Sequence, residues 1–143
     1  MKKFNFSLQK VLDFREFEKK QAEAELGKAV AEETKIQDTL DLIAQAHVST
    51  VRAADSTHDV SELFAAQNYF RLLNQRKEES LTALAQAQVI TEEKRDAMRE
   101  AMKNCKVLEN LRDKRKSDWK KANQKEEENQ IDDIVTAKYG DRP

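Results

Sequence analysis

His47 and His58 are the side chains best suited to bind a metal or move a proton near neutral pH, and each stands alone, eleven residues from the other. A zinc centre needs about four ligands in close geometry. Both histidines therefore read as exposed or tip residues. Cys105 is the single cysteine, so no intrachain disulfide forms. It falls in a helical seam and reads as a small packing hydrophobe rather than a nucleophile. No Gly-rich loop, Cys/His cluster or HExxH motif is present. The many acidic residues read as a solvated helix face with no pocket to shift their pKa values. The sequence argues against an enzyme and predicts no cofactor and no bound metal.

What remains is the chemistry of contact. The stretch "RDKRKSDWKKANQK" carries Arg112, Lys114, Arg115, Lys116, Lys120, Lys121 and Lys125 against Asp113 and Asp118. Glu126, Glu127, Glu128, Asp132 and Asp133 follow it. One reading is an electrostatic contact with an acidic protein surface, or less readily with nucleic acid or lipid. The other is a solvated helix balanced by its acidic tail. Trp119, inside the basic stretch, favours contact, because tryptophan is a common hot-spot residue. The net charge of −1 gives the chain no global pull toward nucleic acid, and none is expected as a partner.

Large apolar rings crowd the other end. Four of the six phenylalanines are Phe4, Phe6, Phe14 and Phe17. Two coverings are open to them: a partner, or a self-contained plug packed on the chain's own second helix. The partner reading is preferred, because Phe6, Phe14 and Phe17 lie largely off the helical stripe of Phe4, Leu8, Val11, Leu12 and Arg15.

The elements that must position these groups are helices. Charged residues make up 37% of the chain, and only Gly27, Gly140 and Pro143 are helix breakers by type. A 3-4 repeat runs through Leu12, Arg15, Lys19, Ala22, Leu26, Ala29, Glu33, Ile36, Leu40, Ile43, His47 and Thr50. It fails at "AADSTHDVSE", where Asp59 and Glu62 resemble a capping box. A second repeat runs through Phe70, Leu73, Lys77, Ser80, Leu84, Ala87, Thr91, Lys94, Met98, Ala101, Cys105 and Leu108. The pattern predicts an all-α fold: one domain over 1–143, built as an antiparallel coiled-coil hairpin. Helix 1 is expected over about 5–54, the tip over 55–59 and helix 2 over about 60–139. Counting outward from the tip sets Leu12 opposite roughly Cys105 and Phe4 opposite roughly Arg112. Helix 2 should overhang by ~27 residues, or ~40 Å, with Lys138 in its last turn and Gly140 as its stop.

Near the tip, "LFAAQNYFRLL" sets Leu63, Phe64, Tyr69, Phe70, Leu72 and Leu73 on two helical phases. Both ends of the hairpin thus look adhesive and the middle looks like a charged rod. That is the profile of an adaptor between two partners. The start "MKK" is not followed by an apolar core of a signal peptide. No stretch approaches the ~20 apolar residues of a membrane span. The expectation is a soluble cytoplasmic protein, a monomer or weakly self-associating.

"FNFSLQKVLDFRE" resembles the opening F-x-F-x-L-x-x-V/L-L-x-x-R-x-x-E of the FliJ family of the bacterial flagellar type III export apparatus. Phe4, Phe6, Leu8, Val11, Leu12 and Arg15 carry the match. The length, the two-helix pattern, "NYFRLL" and the acidic "NQIDDIV" agree with it. The resemblance implies a non-enzymatic hairpin similar to the stalk of rotary ATPases. It would bind and activate the hexameric export ATPase, link it to the membrane export gate protein, and serve export chaperones at the inner-membrane face of the basal body. It implies ATPase contacts at Phe4, Phe6, Leu8, Val11, Leu12 and Arg15, with Trp119 beside them. It implies a gate patch at Tyr69, Phe70, Leu73 and Arg76, where Arg76 and Ser80 are more polar than the family pattern. A structural coiled-coil adaptor and a basic-helix binder of nucleic acid or anionic surfaces are the competing readings.

Overall fold

The computed structural model describes residues 2–140. Two helices carry almost all of them: α1, Gln9–Asp55, and α2, Val60–Gly140. They touch along their length as an antiparallel hairpin, with α2 the longer. Neither Gly27 nor Gly140 adopts a positive φ. α2 ends at Gly140, the last described residue, with Lys138 in its last turn.

The contacts divide into two compact units, Lys20–Arg99 and the pair of segments Met1–Lys19 and Glu100–Pro143. In the first unit the 3-4 repeat is the seam. Leu73, Ala29, Ala87 and Thr91 are buried, and Leu26, Ile36, Leu40, Ile43, Leu84 and Met98 are half-buried. Alanine at the buried positions lets two helices approach closely. Thr91 is tolerated there because its hydroxyl donates to the Ala87 carbonyl at 2.9 Å. His47 and Lys77 depart from the pattern and are exposed. His47 instead lays its ring 4.8 Å from that of Phe70. Lys94 Nζ lies 3.8 Å from Glu25 Oε2 of the opposite helix, an exposed pair of small energetic weight.

The tip starts α2 where the sequence places it. The Asp59 carbonyl accepts the first helical bond from Leu63 N–H at 3.1 Å. Asp59 Oδ1 accepts from Ser61 N–H at 3.0 Å, the work of an N-cap. The capping box is closed indirectly. Glu62 does not take the Asp59 N–H; the Thr57 hydroxyl accepts it at 3.3 Å and in turn donates to the Glu62 carboxylate.

In the second unit the expected helix start near residue 5 is not found. Residues 2–6 carry no regular secondary structure, Ser7 and Leu8 form a turn, and α1 begins at Gln9. The Leu8 carbonyl accepts from Leu12 N–H at 2.9 Å to open the helix. This strap is not helical, and a non-helical segment can advance up to about 3.3 Å per residue against 1.5 Å in a helix. Phe4 therefore reaches Trp119, well past Arg112, with ring centroids 5.9 Å apart. Phe6 and Leu12 bury themselves with Cys105, and Phe4, Leu8, Leu108 and Leu111 pack around that core.

Candidate interaction surfaces

The strap is held by side chains. Arg115 of α2 donates to Ser7 Oγ at 3.0 Å and sets its guanidinium 5.7 Å from the centre of the Phe6 ring. Phe6 is 5% exposed and Leu12 1%. Of the N-terminal candidates, Phe4, Phe6, Leu8 and Leu12 thus build an internal plug, and Trp119 is half-buried against it. Arg15 is half-buried and pairs with Glu18 at 3.4 Å. Val11 alone of that set is exposed.

The aromatic end is nevertheless only partly covered. Phe14 is 57% exposed and Phe17 55%. They lie on the side of α1 turned away from Leu12, Arg15 and Lys19, because the helical spacing separates the two sets by about half a turn. The two coverings weighed from the sequence therefore divide the rings between them. Phe4 and Phe6 are plugged; Phe14 and Phe17 stay open.

A second open stripe lies near the end of α2. Ile131, Ile134 and Val135 are exposed at i, i+3 and i+4. The spacing is present in "NQIDDIV", where Asp132 and Asp133 interrupt the apolar residues. Beside the strap is a cleft of about 490 Å³ lined by Lys2, Trp119, Ala122, Glu126, Glu127 and Gln130. One carboxylate oxygen of Glu127 is out of solvent there with no hydrogen-bond partner among the described residues.

All seven residues of the basic stretch are exposed, but Arg115 is committed to the strap. Near the tip, Tyr69, Leu73 and Arg76 come together along one shallow groove with Thr39, Leu42 and Ser80. Leu73 is 3% exposed and forms the floor, while Tyr69, Arg76 and Leu42 are open. Phe70 faces His47 instead.

Glu16, Cys105 and Glu109 bring a thiol and two carboxylates within 4.8 Å of one another. The thiol is 1% exposed and donates to Glu109 Oε1 at 3.4 Å. Burial, then that hydrogen bond and the nearby carboxylate charge, push its pKa above 9.0. A protonated, hydrogen-bonded thiol is neither nucleophile nor thiolate ligand. No helix among the described residues is long and apolar enough to cross a membrane.

No curated protein and no solved structure shows a significant match to the chain. A family model described as flagellar FliJ protein matches residues 4–143. That span takes in both helices and the open stripes: the chain belongs to the FliJ family, a non-catalytic component of the flagellar type III export apparatus.

Proposed function

We propose that the chain is a stalk-like binder and activator of the hexameric export ATPase. It would join that ring to the membrane export gate and to export chaperones, at the cytoplasmic face of the basal body. The observation that carries the reading is the pair Phe14 and Phe17, more than half exposed on a charged rod. Exposed rings in one cluster are the usual form of a protein contact. The plug of Phe4, Phe6, Leu8 and Leu12, with Trp119, supports this surface from beneath, and Val11 extends it. The groove of Tyr69, Leu73 and Arg76, with Phe70 beside it, is the counterpart toward the gate.

A stalk does no chemistry. It makes unequal contacts with the subunits around it, and by linkage it shifts their conformational equilibrium as they shift its own position. The test is ATP hydrolysis by the cognate export ATPase, titrated with this protein and with a Phe14→Ser/Phe17→Ser variant. Wild-type stimulation should saturate at well under one copy per ATPase subunit. The variant, with unchanged helicity, should stimulate at least about tenfold less. Full stimulation by the variant would remove Phe14 and Phe17 from the contact. No stimulation by either, with salt-steep binding to nucleic acid, would favour the basic-helix reading of Arg112 to Lys125.

A further inference from the structure

Beyond its export partners, we propose that the chain binds a second copy of itself, antiparallel, through the exposed face of α2 between Lys116 and Asp132. The argument begins with charge order. Seven basic residues between 112 and 125 give way abruptly to Glu126, Glu127, Glu128, Asp132 and Asp133, with no Lys or Arg among those last eight positions. A helix with a basic half followed by an acidic half complements itself only when a second copy runs the other way. Parallel pairing would set base on base and acid on acid.

The helical phase makes the match specific. Ser117, Lys120, Gln124, Glu128 and Ile131 follow one another at spacings of three and four, so they form one stripe. All five are exposed. Trp119 and the strap packed on it occupy a different face. A two-fold axis at Gln124 sets Lys120 opposite Glu128, Lys116 opposite Asp132 and Ser117 opposite Ile131, each twice. No like charges meet in this register. The aliphatic stems of Lys116 and Lys120 would lie over Ile131 of the other copy.

The same pairing answers a local weakness. Ile131, inside the paired face, is β-branched and exposed. Such residues lower helix propensity and return little stability while uncovered. A partner helix supplies the packing. Because the pairs lie at a surface, the association is weak and strongly screened by salt.

The test is sedimentation equilibrium of the full chain at about 50 mM and about 500 mM salt. Three samples are compared: wild type, K116E/K120E, and E128K/D132K. Wild type should form a dimer at low salt, with dissociation at least about tenfold easier at high salt. Each charge-reversed variant alone should dissociate at least about tenfold more readily than wild type, because like charges then face one another. Mixing the two variants should restore the dimer, since each supplies the charge the other lacks. Circular dichroism and the emission of Trp119 should match wild type in both variants, which shows that the hairpin is intact. A chain that stays monomeric at low salt overturns the proposal. So does a dimer that both reversals leave unchanged, or a mixture that does not recover.

Discussion

The two units of the hairpin achieve burial by opposite means. Between Lys20 and Arg99 the seam relies on small groups: Ala29, Ala87 and Thr91 are buried, with Leu73 the one large side chain among them. Between the strap and the far end of α2 the core is Phe6, Leu12 and Cys105, ringed by Phe4, Leu8, Leu108 and Leu111. A seam of small residues distributes its stability over many turns, and no single position dominates. A plug concentrates it in a few rings. Removing volume should therefore injure the plug, and adding volume should injure the seam.

The largest effect is expected at Phe6. Phe6→Ala deletes a buried ring and its guanidinium contact, and should cost about 3–5 kcal/mol, measured by chemical denaturation followed at Trp119. Phe14→Ala, an exposed ring on the same unit, should change stability by less than about 0.5 kcal/mol. Equal losses at the two sites would erase the distinction between covered and open rings.

Ala87→Leu tests the other side of the comparison. Extra methylenes at a buried seam position should cost about 1–3 kcal/mol by overpacking, read as a lowered denaturation midpoint. A neutral result would mean that the seam can spread to admit a large side chain.

The smallest effect concerns Cys105. Its raised pKa means that the folded state holds the thiol proton more tightly than the unfolded chain does. Its contribution is constant below the ordinary thiol pKa of 9.0 and is lost as pH rises above that value. Wild type should lose slightly more stability than Cys105→Ala between pH 8 and about 10. Parallel pH profiles would show that the thiol contributes packing alone.

Much of the seam was legible from sequence because a 3-4 repeat leaves few ways to pair two helices. Leu12 and Cys105 meet in one core, as counting from the tip requires. Val60 opens α2 because Asp59 can cap it. The strap was misread for a physical reason. Phe4 and Leu8 satisfy a helical spacing, yet Phe4, Phe6 and Leu8 also alternate with Lys3, Asn5 and Ser7. That period of two is the mark of an extended segment with one covered face. Over so short a stretch both periods fit, and only the reach to Trp119 and Arg115 decides between them. The open rings were visible as residues but not as a surface, because exposure depends on which rings the strap leaves uncovered. Tyr69, Leu73 and Arg76 line one groove, while Phe70 of the same expected patch faces His47. Leu42 joins them from the other helix, which no reading of one helix could supply.

The strap has one further property. Among the described residues its backbone makes a single bond before the helix begins, from Gln9 N–H to the Phe6 carbonyl at 3.1 Å. Everything else that fixes it is side-chain contact: the rings of Phe4 and Phe6, Leu8, and the bond from Arg115 to Ser7 Oγ. Order and amide protection are therefore separated in this segment. The Phe6 ring is buried like that of a core residue, while among the described residues the strap's N–H groups donate to no backbone carbonyl, the bond that most slows amide exchange. A segment of that kind can peel away without breaking a ladder of backbone bonds, and it loses its side-chain contacts one ring at a time.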